Sequence, residues 1–471
     1  MSEKIPAKDL TENPKDADHY AELDWGDGKI YTRRLREGFY RSLRQYTGIP
    51  LLLGYFLLPW FNISDRPAMW FNLPDREFHI LWMTFWPQDG MLLAWLLIIS
   101  AFALFAVTTL VGRVWCGFTC PQTVWTLMFI WWERRVIGDR NAQMKLDMAP
   151  WSANKITKKL IKWFGWFVIA FVTAFAFVAY FEPPRDLAME LLTFTAHPWA
   201  VFWIGFFTIA TFGNAGFLRE KVCKYMCPYA RFQSVMYDED TLLVTYDAAR
   251  GEKRGPRKGN KDKPEGLGDC IDCNWCVQVC PVGIDIRDGL QYPCIDCGLC
   301  VDACNQIMDK VGYERGLIRF TTQDQLENGH TKFIRPKLVG YAMAVVLMLV
   351  AFTYVLSTRV PVTLDVVRDR GQLFRPVGGK KIENNYLLKI NNMSDSTRDF
   401  RVVLLTDDIF TLKAWKHVEV EKGEVFSLPV SLRAERKALG GSKTPVQFRV
   451  EAVDDETIFA LEDSTFIGPS K

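Results

Sequence analysis

The sequence predicts a multi-domain membrane protein: a five-helix transmembrane bundle, a cysteine-rich α+β domain and a C-terminal β-sandwich. Three observations predict it. Five stretches contain no Asp, Glu, Lys, Arg or His, eight of the twelve cysteines fall in two evenly spaced runs, and the cysteine-free tail alternates apolar with polar residues. Bulk composition hides all three. Across 471 residues, 49% apolar, 24% charged and a net charge of +3 describe an ordinary soluble enzyme. Collagen-like, disordered and small disulfide-scaffold classes are excluded, and a near-neutral balance gives no support for nucleic acid as a partner.

The uncharged stretches are 47–63, 91–112, 163–181, 198–218 and 338–358, so all 57 Lys/Arg and 54 Asp/Glu lie elsewhere. A bilayer core of about 30 Å needs about 20 apolar residues in a helix, and only the first stretch, with Pro50 and Pro59, falls clearly short. Five such helices buried in one soluble chain would be odd, so the set reads as membrane spans. Residues 122–132 are too few to span and read as an interfacial or packed helix, with Trp131 and Trp132 at the interface.

The polar N-terminus makes the first span a start-transfer helix rather than a removed leader. Nine Lys/Arg occupy the first 45 residues and nine more the 113–162 loop. The 64–90 loop has only Arg66 and Arg76, and the 182–197 loop only Arg185. This alternation puts the N-terminus inside, and five spans then leave the C-terminus outside. Trp60, Trp70, Trp82, Trp86, Trp199 and Trp203 cluster near the outer span ends, as an interfacial belt would.

The expected order is a cytoplasmic N-terminal segment (1–46), four membrane helices (47–218), a cytoplasmic cysteine-rich domain (219–337), a fifth membrane helix (338–358) and an outer domain (359–471). Alternating runs at 386–390, 400–405, 418–420, 425–432 and 446–453 predict the outer strands. Asn391-Asn392 and Gly440-Gly441-Ser442 supply turns, and such spacing suggests a sandwich with a scaffold or docking role.

All twelve cysteines fall on the predicted cytoplasmic side, where disulfides are rare and clustered thiols read as metal ligands or redox groups. Eight form Cys270-x2-Cys273-x2-Cys276-x3-Cys280-Pro281 and Cys294-x2-Cys297-x2-Cys300-x3-Cys304, the bacterial two-cluster ferredoxin pattern. Three thiolates two residues apart can wrap one cubane, while the fourth projects toward the other. The assignment is Cys270, Cys273, Cys276 and Cys304 for one [4Fe–4S] cluster, and Cys294, Cys297, Cys300 and Cys280 for the second. Paired zinc sites are the alternative, disfavoured by the third thiolate step and by Pro281. Asn305 stands where the pattern has a second proline.

The other four cysteines form two CxxxCP motifs, Cys116–Cys120-Pro121 and Cys223–Cys227-Pro228, each just after a span that exits on the cytoplasmic side. Each pair follows two spans, which suggests a parallel internal repeat. Cysteines at i and i+4 share a helix face and the proline redirects the chain, so the pairs could converge on one four-thiolate site. Packing of small cysteines at helix ends is the bland alternative. Soft thiolates accommodate Cu(I), zinc or iron–sulfur, so the ligands leave the occupant open.

The five histidines (His19, His79, His197, His330 and His417) lie outside the spans, which excludes a transmembrane bis-histidine haem. No Walker A loop or Gly-rich dinucleotide fingerprint occurs. The basic 249–263 stretch is a solvated linker near an anionic leaflet.

The order of membrane hairpin, VWCGFTCPQTVW, second hairpin, CKYMCPYARFQ, two ferredoxin runs, last span and outer β domain resembles the FixG/RdxA/CcoG family over nearly the whole chain. The resemblance implies an accessory protein for assembly of cbb3-type cytochrome c oxidase in the bacterial inner membrane. It implies an immunoglobulin-like C-terminal domain in the periplasm, two [4Fe–4S] clusters on the eight cysteines, and partners among the oxidase assembly and copper-handling proteins. The implied activity is reduction of Cu(II) to Cu(I), with Cys116, Cys120, Cys223 and Cys227 as the copper or redox site. A quinol-oxidising membrane ferredoxin that feeds another redox enzyme is the competing expectation. The shared CxxxCP motifs do not separate the two, whereas the fused last span and outer domain favour the first.

Overall fold

The computed structural model describes residues 30–469 except 64–65, 258–265, 369–373, 378–380, 395, 407–408, 414–416 and 440. Outside the described residues lie His19, four of the nine N-terminal basic residues, part of the 249–263 linker, and Gly440 of one expected turn. The chain forms two compact units, one from residues up to 67 with 97–347, the other from 68–96 with 348 onward.

Among the described residues, four helices are long and apolar enough to cross a membrane: Gly90–Val111, Ala153–Val178, Pro198–Leu218 and Pro336–Ser357. Their outward faces are apolar. Leu93, Leu97, Phe164, Phe167, Phe202, Phe206, Val346 and Val350 are all exposed, and no residue of Pro336–Ser357 is buried. Surface of that kind is costly in water and matches lipid tails. The Ala153–Val178 helix starts ten residues before its uncharged stretch, at a Ser152 cap that accepts from the Lys155 amide. Its Lys155 ammonium donates to the Asp147 carbonyl at 2.9 Å and to the Ala149 carbonyl, so basic residues extend the helix at the interface.

The first uncharged stretch differs from its expectation. It straddles the end of a helix, Phe39–Leu57, and a 3₁₀ turn, Leu58–Trp60. The helix begins among Arg41 and Arg44, and Pro59 ends it. Among the described residues this helix is not one of the four that qualify by length and composition.

The short stretch after the second span is a packed helix, Pro121–Val136, with Phe129 fully buried and Trp131 exposed. The Pro198–Thr211 helix widens into a π-helical segment, Phe212–Leu218, which ends at Arg219 in the left-handed region (φ 44°). Buried Glu133 holds that turn, pairing with Arg219 at 2.7 Å and Lys162 at 3.6 Å. Arg219 and Lys162 both lie over the Trp166 ring. Removing one member would strand a buried charge, which typically costs about 3–5 kcal/mol.

The cysteine-rich domain is built on an antiparallel pair, Leu243–Tyr246 with Ile318–Thr321, and on helices Trp275–Val279 and Leu299–Val311. Its core joins Val244, Met308, Leu317 and Ile318 to the cysteines themselves.

The second unit is a sandwich of two antiparallel sheets. One runs in the order Phe410–Lys413, Val425–Glu435, Lys381–Asn392, Val362–Arg368, with Arg375–Val377 also on Lys381–Asn392. The other runs Val418–Val420, Arg398–Leu404, Lys443–Ala452, Phe459–Ile467. Leu388, Ile390, Phe400, Leu432, Phe448 and Phe466 fill the space between with almost no exposure. The five runs expected from alternation fall on these strands to within a residue, the edge strand Val418–Val420 among them. Val362–Arg368, Arg375–Val377, Phe410–Lys413 and Phe459–Ile467 were not expected, and Asn391-Asn392, expected as a turn, ends the Lys381–Asn392 strand. The same unit contains a three-stranded meander, Met69–Asn72, Glu77–Ile80 and Met83–Phe85. Buried Trp86 ties it to the sandwich by donating to the Met393 carbonyl at 3.0 Å, and Lys422 pairs with Glu77 at 3.3 Å.

Candidate redox and metal centres

The two ferredoxin runs share a backbone device. Asp272 and Asn274 in the first run, and Asp296 and Gly298 in the second, occupy matching positions with positive φ (52°, 55°, 47° and 68°). Asp, Asn and Gly tolerate this conformation best. The resulting curl turns backbone N–H groups inward, as an anion-binding nest does. Burial raises the Cys273 and Cys297 thiols, while the amides of Trp275 and Leu299 pull them back down. Gly298 has a second reason to be glycine, since a Cβ there would strike the Tyr40 ring.

Two cavities result. One is lined by Cys270, Cys273, Cys276 and Cys304, the other by Cys280, Cys294, Cys297 and Cys300, with Cys276 on the wall of both. Each thus draws three thiols from one run and the fourth from the other. The donor set fits iron–sulfur clusters: eight free thiols in apolar walls. Burial pushes Cys276 and Cys304 up to about 12 and Cys280 up to about 11, so these thiols shed protons as a metal binds. In the first cavity Arg287 is a neighbour of Cys276 and is paired with Asp285 at 2.5 Å and Asp272 at 2.6 Å.

The CxxxCP cysteines also come together. Cys116 is pushed up to about 12, first by burial, then by Cys120, with Cys223 and Cys227 adding. Cys223 is pushed up to about 11 by burial, with Cys120 and Cys227 adding. The halves clasp each other through two glutamines. Gln122, just after the first motif, donates to the carbonyls of Asn214 and Arg219 at 3.2 and 3.1 Å, on the turn that leads to the second. Gln233, after the second motif, accepts from the Cys116 thiol at 3.3 Å and donates to Thr108 at 3.3 Å. Both lie in the quoted motif strings (CPQ and CPYARFQ), but nothing in one sequence marked them.

This four-thiol site abuts the second ferredoxin run. A Cβ on Gly117 would lie 2.7 Å from the Ile295 carbonyl and 3.0 Å from the Cys297 Cα, so only glycine permits the approach. Arg113, four residues before Gly117, donates to the carbonyls of Tyr292 at 2.6 Å, Cys294 at 3.4 Å and Ala230, and its amide donates to Asp296 at 3.0 Å. One buried residue thereby joins both CxxxCP segments to the second ferredoxin loop. Among the described residues, no three His, Cys, Asp or Glu side chains close around a single-ion site.

A protein of Cereibacter sphaeroides named RdxA is 40% identical to this chain over 395 residues, covering 80% of the chain and 82% of the relative. The chain belongs to the FixG/RdxA family. The nitrogen fixation protein FixG of Rhizobium meliloti is 37% identical over 416 residues (80% of the chain, 79% of the relative), and RdxB of Cereibacter sphaeroides is 37% identical over 413 (82% and 84%). The model of a 4Fe-4S dicluster domain matches 218–323, that of a 4Fe-4S binding domain matches 93–138, and that of the IG-like fold at the C-terminus of FixG matches 352–469. A crystal structure of a FixG-related protein from Vibrio parahaemolyticus is 33% identical over 23% of this chain and 95% of its own, with a TM-score of 0.21. The family is one of iron–sulfur electron-transfer proteins with membrane helices, and its C-terminal domain is immunoglobulin-like.

Proposed function

We propose that the chain passes electrons through two [4Fe–4S] clusters to the four CxxxCP thiols and there reduces Cu(II) to Cu(I) for assembly of a cbb3-type oxidase. Cys270, Cys273, Cys276 and Cys304 hold one cluster; Cys294, Cys297, Cys300 and Cys280 hold the other. The observation that carries this reading is the contact at Gly117, which sets the CxxxCP site directly against the second cluster loop. The clusters these cysteines would hold would supply one electron for each Cu(II) reduced. Thiolate ligation favours the cuprous product.

The same reading places the chain in a bacterial inner membrane with the ferredoxin domain cytoplasmic and the immunoglobulin-like domain periplasmic. Tyr40 and Arg41 pack on Asp302 of the ferredoxin domain, so the N-terminal side is cytoplasmic too, the number of crossings is odd, and the later part of Phe39–Leu57 with the turn after it serves as the fifth. The part beyond Arg44 with the 3₁₀ turn, residues 45–60, rises about 25 Å, a little under the hydrocarbon thickness of about 30 Å. Reporter fusions at 64–65 and after residue 469 should both report the periplasm; a cytoplasmic signal at either would reject this topology.

Anaerobically purified protein, reduced and then mixed with Cu(II) and a Cu(I)-specific chelator, should yield cuprous ion. Cys116→Ser should abolish that yield while both clusters remain. Cluster-replete wild-type protein that leaves copper oxidised sinks the copper reading. A second occupant is favoured by one finding: the model of a 4Fe-4S binding domain covers 93–138, where the only cysteines are Cys116 and Cys120. With Cys223 and Cys227 these could hold a third cluster, and iron in excess of two cubanes would decide for it.

A further inference from the structure

The second ferredoxin cavity faces a charge that nothing balances. Arg44, on the Phe39–Leu57 helix, is buried (5% exposed), and its Nε has no hydrogen-bond partner. Among the described residues no carboxylate pairs with it. Its electrostatic neighbours are Cys297 and Cys280, one ligand from each run. Asp302 holds it there: this residue of the Leu299–Val311 helix accepts the Tyr40 and Arg41 amides at 3.3 and 2.8 Å, capping the Phe39–Leu57 helix against the second run. Tyr40 packs against Gly298 from the same first turn.

An unpaired guanidinium in such a place costs several kcal/mol unless an anion answers it. Four thiolates around a cubane supply that anion, because they leave the cluster with net negative charge. The other arginine at this site, Arg113, has the Asp296 carboxyl beside it, which accepts its amide at 3.0 Å and offsets part of its charge. At the first cavity Arg287 is outweighed by Asp285 and Asp272. Arg33 and Lys310 reach only the Trp275 wall of that cavity, and solvent reaches and screens both.

We propose that Arg44 is a positioning charge for the second cluster: it raises that cluster's reduction potential above that of the first and makes it the relay to the CxxxCP thiols. Reduction adds one negative charge to a cluster, and a cation beside it in a poorly screened interior favours that state. Burial alone works the other way, and the unpaired Arg44 overcomes it for the same low-dielectric reason. One electron leaves the cluster on Cys270, Cys273, Cys276 and Cys304 and arrives at the one on Cys294, Cys297, Cys300 and Cys280, with no bond made or broken. A low-potential one-electron donor, dithionite in the test, refills the first.

The inference rests on the iron–sulfur reading of the eight cysteines and not on copper. Full-length protein, purified anaerobically in detergent, is titrated by EPR against potential after its iron and sulfide are counted. Two steps are expected, and the higher one should survive in Cys273→Ser. Arg44→Gln should lower the higher step by a tenfold or larger change in the one-electron equilibrium, about 59 mV, and leave the lower step in place. Arg44→Lys should stay within threefold of wild type. Loss of one cluster in Arg44→Gln but not in Arg44→Lys also supports the role of the charge. An unmoved higher step, equal shifts or losses in both variants, or survival of only the lower step in Cys273→Ser overturns it. Wild-type protein without clusters would overturn the iron–sulfur reading as well, whereas full clusters with unmoved potentials overturn this inference alone.

Discussion

The two ferredoxin cavities are built from one repeated pattern and differ in almost everything around it. Both runs place an Asp two residues after the first cysteine, and a left-handed residue again two positions on. The first cavity opens toward Arg287, Asp285 and Asp272, a group of partly exposed charges that satisfy one another. Around the second run stand Tyr40, Arg44, Arg113 and Gly117, all contributed by the chain before residue 120. Under the proposed function, equal ligand spacing with unequal surroundings gives two sites of the same chemistry and different duty, one receiving electrons near solvent and the other passing them inward.

The sharpest way to break that comparison is to remove a ligand from each side. Cys273→Ser should lose the first cluster and Cys297→Ser the second, each leaving half of the iron. Cuprous yield should fall to background in both if the sites act in series. Retained yield in Cys273→Ser would show that electrons can enter at the second site directly.

Backbone changes should come next. Gly298→Ala forces a Cβ into a left-handed position, worth roughly 1–2 kcal/mol before any clash, and drives it against Tyr40. The second cluster should then be stripped faster by chelator while the first keeps wild-type kinetics. Asn274→Ala, at the matching position with a φ of 55°, carries the conformational penalty without the Tyr40 clash, so its effect on the first cluster should be smaller.

Gly117→Val tests the junction. Its side chain would meet the Ile295 carbonyl and the Cys297 Cα, and neither is a flexible chain end. Iron content should hold while copper reduction slows at least tenfold. Intact reduction would mean that the contact is not the route. The smallest effect is expected at Gln233→Ala, which deletes the bonds to Cys116 and Thr108 at about 1 kcal/mol. A few-fold drop in cuprous yield with unchanged cluster spectra is the expected result.

Much of this architecture was legible in advance because its causes are local. Uncharged stretches of about 20 residues pointed to the four long apolar helices. Period-two alternation pointed to five sandwich strands, among them Lys381–Asn392 and Val425–Glu435. Thiol spacing grouped Cys280 with Cys294, Cys297 and Cys300, as the cavities do. The first uncharged stretch was read poorly, since its helix begins in the charged sequence at Phe39 and stops at Leu57. The 68–85 meander is not legible in the sequence, because its strands are three or four residues long and show no sustained period.

Arg44, Arg113, Gln122, Gln233 and Gly117 were not legible at all. Each is an ordinary residue for its local sequence, and its role depends on partners more than ninety positions away. The sequence by itself determined which thiols could ligate, how they are spaced and which segments suit a bilayer, because covalent spacing and side-chain polarity act over a few residues. Only the tertiary structure decided which charge stands beside which thiol and which thiol set touches the next. Those depend on distances through space that no local pattern encodes.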